Sequence, residues 1–286
     1  MSYGPNPWQQ TSWDWRAAGN FMAGGAGTGL LVGAALLAPP DAAQGWAPTW
    51  LLFGGLALVG LGLLCVWLEI GRPLRALHVF LNPQTSWMSR EAFVGALLFP
   101  AGLLAMLGMN GWIWVTAVLA LIFLYCQSRM LPAARGIPAW RPKVLSLLMF
   151  VTGLCEGCAL FLLLGLLHGK VTGGVMLLFT LLTLWRIAVW TRYRSNAQSS
   201  LAPRAAAALD QAGRYLLLAG TVAPLLLLGI GVWLPSGSAQ SVLVGLAGAG
   251  AAFAGAYMKY TLVTRASFNQ GFALTQLPVR GVRVNP

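Results

Sequence analysis

The sequence predicts an all-α integral membrane protein with eight transmembrane helices and both termini in the cytoplasm. Three observations carry that reading: the composition, the lengths of the apolar runs and the placement of the basic residues. Of 286 residues, 58% are hydrophobic and only 8% are charged, with a mean hydropathy of +0.72. A soluble domain carries about 25% charged residues, and a disordered chain is poor in apolar ones, so both classes are excluded. At roughly 20 residues per span, this length leaves no room for a separate soluble catalytic domain.

Eight apolar runs follow one another, at about 18–38, 49–70, 91–109, 111–129, 144–167, 171–190, 214–234 and 241–263. Each can cross about 30 Å of hydrocarbon at about 1.5 Å per residue. None alternates with period two, so a transmembrane barrel is excluded. The opening MSYGPNPWQQTSWDWRAAGN lacks the basic stretch and immediate apolar core of a cleaved signal peptide. The eight runs form one membrane domain, 1–286, closed by a cytoplasmic tail, 264–286. That tail is too polar and too interrupted by proline to span, and is expected to lie along a surface.

An even number of spans puts both termini on one side. The opposite side holds the connections at 39–48, 110, 168–170 and 235–240, and its only basic residue is Lys170. The other 17 of the 18 Lys and Arg fall in the terminal segments, in loops 71–90, 130–143 and 191–213, or within about a turn of them, with Arg186 the deepest. Basic residues mark cytoplasmic loops, so the larger, basic connections face the cytoplasm. The net charge of +12 therefore reads as topology and an acidic membrane or protein partner, not as nucleic-acid binding. The small, uncharged connections opposite offer a soluble partner little.

In the first run Gly25, Gly29 and Gly33 share a helical face, the pattern of a close-packed helix interface in lipid. A phosphate-binding glycine loop is excluded, because no strand precedes the run and no complete GxGxxG occurs. Just before it, Trp13, Asp14, Trp15, Arg16 and Asn20 read either as an interfacial belt or, for Arg16 and Asn20, as the wall of a pocket beside the next two spans. Only six acids exist. Glu69 ends the second run and Glu91 opens the third. The connection between them adds Arg72, Arg75, His78, Asn82, Thr85, Ser86, Trp87, Ser89 and Arg90, the densest polar cluster in the sequence. It reads as an ordinary interfacial loop, or as a pocket for a ligand with two polar ends and an apolar tail. A quinone has those needs: two oxygens, two protons per turnover and a tail in lipid. Carboxylate and imidazole would relay protons, and Arg and Ser would hold carbonyl oxygens.

Glu156 lies half-way along the fifth run between Cys155 and Cys158. It reads equally as a proton relay or as a neutral, hydrogen-bonded carboxyl in a helix interface. Cys65, Cys126, Cys155 and Cys158 read as small buried residues, because the one CxxC has no second CxxC and no neighbouring His. His78 and His168 fall at opposite ends of the bundle, so they cannot clasp one haem, and no haem and no metal site are expected.

The stretch Glu69-Ile-Gly-Arg72-Pro73-Leu-Arg75, followed by Asn82-Pro-Gln-Thr85-Ser86-Trp87-Met-Ser89-Arg90-Glu91, resembles the membrane anchor subunits of dimethyl sulfoxide reductase and polysulfide reductase. Those carry a [His/Glu]-x-Gly-Arg-Pro motif closing one helix and a Thr-Ser-Trp-x-Ser-Arg-Glu motif opening the next. The resemblance implies a haem-free, eight-helix subunit that binds ubiquinone or menaquinone in the bacterial cytoplasmic membrane. It implies electron exchange with a four-cluster iron–sulfur subunit joined to a molybdenum or tungsten pterin catalytic subunit. Carried over by position, the quinone region comprises Glu69, Arg75 and Glu91, with Arg72 in the same motif and Asn20 on the first helix; His78, Trp87, Ser89 and Arg90 complete the candidate set. Many relatives have His where Glu69 stands, which leaves the identity of the proton carrier open.

Because the motif connection lies on the basic side, the catalytic partner is expected in the cytoplasm. That suits a complex that oxidises a cytoplasmic substrate and reduces quinone. The opening WDWRAAGNF is similar to the membrane subunit of phenylacetyl-CoA:acceptor oxidoreductases, with sulfite-oxidising relatives as the neighbouring alternative. Competing readings are a quinol-oxidising anchor of a reductase, a purely structural anchor, and a transporter or proton channel built on Glu156.

Overall fold

The computed structural model describes residues 4–37, 47–70, 73–109, 111–165, 171–235 and 237–271. Among the described residues eight helices are long and apolar enough to cross a membrane: α1 Trp15–Leu37, α2 Thr49–Glu69, α3 Trp87–Met106, α4 Trp112–Ala133, α5 Val144–Leu163, α6 Gly173–Ser200, α7 Pro203–Trp233 and α8 Ser238–Arg265. The described residues contain no strand, only one isolated bridge between Gln9 and Phe268.

The helix starts follow local chemistry. Asp14 precedes α1 and accepts a hydrogen bond from the Arg16 amide at 2.8 Å. Ser86 caps α3, its hydroxyl accepting from the Ser89 amide at 3.2 Å, which starts that helix a turn before its apolar run. Pro203 opens α7 at a position where a missing N–H costs nothing. The first turns of α7 are amphipathic: Ala205, Leu209, Ala212 and Leu216 are buried, whereas Arg204, Asp210 and Arg214 are exposed. Hydropathy alone skips such a stretch. Arg194 on α6 pairs with Asp210 across this basic end of the bundle.

Helices α1 and α5 are the most enclosed of the eight. α1 packs against α5, α2 and α4; α8 covers α5 and α7, α6 lies on α5, and α3 lies on α4. Lipid supplies no hydrophobic drive between helices, so close packing must hold them together. A Cβ on Gly29 of α1 would stand 3.0 Å from the Gly157 Cα of α5. Only glycine permits that approach.

Three π turns interrupt the bundle, at Asn20–Gly24, Leu218–Val222 and Thr261–Arg265. A π turn disturbs the helical hydrogen-bond ladder. In each, side chains from elsewhere take the carbonyls. Gln127 Nε2 donates to Asn20 O at 3.0 Å and Lys259 Nζ to Phe21 O at 2.9 Å. Arg186 Nη2 donates to Gly220 O at 2.5 Å, and Trp140 Nε1 to Leu262 O at 3.0 Å. Gln127, Lys259, Arg186 and Trp140 thus each place a donor on backbone that the irregular turns offer.

The start of the tail does not lie free. Gln10 N donates to Ser267 O at 3.0 Å and Asn269 N to Trp8 O at 3.0 Å, pairing it with the N-terminal segment. Residues 272–286, and with them most of the expected surface tail, lie outside the described residues.

Candidate functional site

Starting α3 at Trp87 puts Glu91 one turn inside the helix, where it is buried at 2% exposure. Two amides reach its Oε1: Gln127 Nε2 from α4 at 3.1 Å and Asn20 Nδ2 from α1 at 3.4 Å. The carboxyl group therefore sits where three helices meet, held by uncharged donors and by no cation. Asn20 itself is buried, and its Oδ1 has no hydrogen-bond partner.

Glu69, at the last turn of α2, is half-buried and lines a cleft of about 110 Å³ with Trp13, Ala17, Asn20, Val66, Ile70 and Met88 among others. Arg16 lies on α1 beside this corner. Its guanidinium pairs with Asp14 at 2.8 Å and donates to the Leu68 carbonyl at 2.8 Å, which fastens α1 to the end of α2. The hydrogen bond from Arg16 holds the Asp14 carboxyl below the usual range. A second cleft, of about 170 Å³, lies beside the first and is lined by Glu91, Trp67, Leu77, Phe80 and Ala92. Val66, Ile70 and Met88 line both clefts. They form a thin apolar wall with Glu69 on one side and Glu91 on the other.

The structure thus gathers Asn20, Glu69 and Glu91. Arg75, His78, Trp87, Ser89 and Arg90 line neither cleft. Arg75 and His78 lie exposed on the short helix Pro73–Leu81, and His78 Nδ1 contacts the Arg75 carbonyl at 3.0 Å. Arg90 is a clamp on the preceding turn: Nε donates to Pro83 O and Nη2 to Gln84 O, both at 2.7 Å. Its guanidinium stacks over Trp87 at 4.2 Å, and Arg129 lies over the same ring at 5.2 Å. Ser89 is buried beneath the cap. Arg72 lies outside the described residues, as does His168.

The residues that sequence reasoning missed are Gln127 and the wall of Val66, Ile70 and Met88. Gln127 carried a signal, as an amide placed deep in an otherwise apolar run. The wall carried none, because Val, Ile and Met are the ordinary filling of a span.

Deeper in the bundle Glu156 has a partner that hydropathy did not suggest. Lys259 of α8 donates to its Oε2 at 2.5 Å, with both side chains only 1% exposed. Glu156 is therefore a hydrogen-bonded carboxyl in a helix interface, but one paired with a cation. Cys126, Cys155 and Cys158 are buried free thiols and Cys65 is partly buried. No group of three His, Cys, Asp or Glu able to hold a metal occurs among the described residues.

Fold and site together define a multi-pass helical membrane protein with a polar cluster at one end of the bundle. The family model of the DMSO reductase anchor subunit (DmsC) matches residues 23–192, more than half of the protein. The protein belongs to that family. It is 31% identical over 119 residues to the C subunit of the anaerobic dimethyl sulfoxide reductase of Haemophilus influenzae, covering 38% of this protein and 42% of that one. It is also 31% identical over 128 residues to the subunit of the same name from Escherichia coli, covering 40% and 45%. The matched region thus spans less than half the length of either relative.

Proposed function

We propose that this protein is the quinone-reactive membrane anchor of an iron–sulfur molybdenum or tungsten oxidoreductase. The observation that carries the proposal is the placement of Glu69 and Glu91 on either side of the wall formed by Val66, Ile70 and Met88. Two carboxyl groups flank an apolar partition at the helix ends, with a small cleft on either side. Each cleft alone is smaller than the roughly 300–1,000 Å³ of a ligand site. Met88 is unbranched and adaptable, and turning it aside would thin the partition between the two.

The residues present fit such a carrier. Asn20 lines the first cleft and its bare Oδ1 can accept from a quinol hydroxyl. A bound quinone supplies a two-electron, two-proton couple. Glu91 holds its proton at a buried carboxyl oriented by Gln127 and Asn20. Glu69, half-exposed at the end of α2, exchanges protons with the adjoining water. Arg16 ties the start of α1 to the end of α2.

Electrons would come from an iron–sulfur subunit with four clusters and a catalytic subunit that carries a molybdenum or tungsten pterin. The bias of Arg and Lys toward the motif side supports a cytoplasmic location for both partners and for the two termini, in a bacterial inner membrane. On that reading a substrate oxidised in the cytoplasm, such as phenylacetyl-CoA, feeds the quinone pool.

Turnover of the assembled complex with a quinone and with an artificial dye tests this. Glu91→Gln abolishes quinone-coupled turnover and spares the dye reaction. Equal loss of both, or of neither, refutes the proposal.

A further inference from the structure

Among the described residues four charged side chains are buried inside the bundle: Glu91, Glu156, Arg186 and Lys259. The quinone site proposed above uses one of them. A charge within the bilayer is expensive and marks function by default, so the other three need a reason.

Glu156 is built as an acceptor. Its Oε2 takes the hydrogen bond from Lys259 at 2.5 Å. Its Oε1 is buried with no hydrogen-bond partner. Gly255 of α8 makes room for that oxygen, since a Cβ there would stand 2.5 Å from it. Lys259 also donates to Phe21 O, in the first π turn, at 2.9 Å. Arg186 of α6 donates to Ala251 O at 2.9 Å, one turn along α8 from Gly255, which borders Glu156 Oε1. The charged groups facing Glu156 are thus Lys259 from α8 and Arg186 from α6. α1 presents Phe21 O and glycines, and α4 presents Leu124 to the same stretch of α5. With Glu156 ionised, two cations face one anion. The one other buried acid among the described residues is Glu91.

Gln127 stands between the two acids. Its Nε2 holds Glu91 Oε1. Its Oε1 lies 3.4 Å from the place a Cβ on Gly25 would occupy, and Lys259 Nζ borders the same place. A buried polar line therefore runs from Glu91 through Gln127 to Lys259 and Glu156. Counting about 1.5 Å per residue from the helix starts, Glu91 is about 6 Å deep and Glu156 about 18 Å.

We propose that Glu156 is a second, deeper proton-holding site that exchanges a proton with Glu91, with Gln127 and Lys259 occupying the ground between them. The inference rests on the quinone reading. In the exchange the proton leaves the Glu91 carboxyl and adds to Oε1 of the Glu156 carboxylate. The buried anion moves from Glu156 to Glu91, nothing is oxidised or reduced, and the two acids and two cations keep the same total charge. Each proton so held has moved about 12 Å inward, a large part of the roughly 30 Å hydrocarbon layer.

Redox-induced infrared difference spectra of the whole complex, recorded in H₂O and D₂O, test this. The proposal predicts a deuterium-sensitive carboxylic-acid C=O band that appears or vanishes with quinone redox change and is missing in Glu156→Gln. The quinone's own carbonyl bands remain in that variant. The double variant Glu156→Gln/Lys259→Met removes the pair together, which buried pairs tolerate better than removal of one partner. It must lack the same band, and serves if the single variant does not assemble. Gly25→Ala, which places a methyl between Gln127 and Lys259, should slow the band's appearance. Quinone bands with an unchanged carboxylic band in the Glu156 variants overturn this inference and leave the quinone reading standing. Absence of quinone bands from the unaltered complex overturns both.

Discussion

Gln127 donates a single side-chain nitrogen to Glu91 Oε1 at 3.1 Å and to the Asn20 carbonyl at 3.0 Å. One amide on α4 thereby fixes the carboxyl of α3 and takes up a carbonyl in the π turn of α1. Gln127→Leu removes both bonds and leaves Glu91 held by Asn20 alone. Misplacing a reacting group by about 1 Å costs about 100-fold. Quinone-coupled turnover of the Gln127→Leu complex should fall by about one to two orders of magnitude while dye turnover holds. Steady-state assays with both acceptors check this.

Met88 lines both clefts. Met88→Leu keeps its volume and should leave quinone kinetics near normal, since such swaps cost under about 1.5 kcal/mol. Met88→Trp fills the clefts, and should raise the KM for a short-tailed quinone without touching the dye reaction. A titration of rate against quinone concentration reads the difference.

Glycines at the interface of α1 and α5 differ in what they touch. A Cβ on Gly157 would run into Gly29 of α1, whereas one on Gly33 meets nothing nearer than 3.9 Å. Gly157→Leu should separate α1 from α5 and lower the melting temperature of the purified complex sharply or prevent assembly. Overpacking of this kind costs about 1–3 kcal/mol or more. Gly33→Ala should be neutral in the same melt.

Arg75 is exposed and lines neither cleft. Arg75→Ala should therefore lower quinone turnover far less than Glu91→Gln does. Paired measurements on one membrane preparation decide it.

Arg204 lies exposed at the start of α7, on the basic side. A cysteine introduced by Arg204→Cys should react with a membrane-impermeant maleimide in inside-out vesicles and not in intact cells. The reverse pattern would invert the orientation.

Much of the fold was legible because hydropathy is a direct record of the solvent each segment meets. The amphipathic start of α7 was not, because its polar face dilutes the apolar one. The pairing of residues 264–271 with the N-terminal segment is a contact between the two ends of the protein, which no local pattern encodes. In the site, the cluster between Glu69 and Glu91 pointed to the corner of the bundle where Asn20, Glu69 and Glu91 meet. Arg90 holds the turn at 83–84 and stacks on Trp87, while Arg75 and His78 are exposed, arrangements that no spacing in the sequence encodes. Lys259 and Arg186 entered the sequence reading only in the count of basic residues near the cytoplasmic side, which carries no information on partners. Their partners, Glu156 and the π-turn carbonyls, exist only in the folded bundle.

A photoreactive quinone analogue, crosslinked to the assembled complex and mapped by mass spectrometry, tests the central claim most directly. The account predicts labelling at Val66, Ile70 or Met88, suppressed by excess native quinone and lost in Met88→Trp. Labelling confined to the outward-facing side chains of α6 or α7, or labelling that native quinone does not suppress, would contradict it.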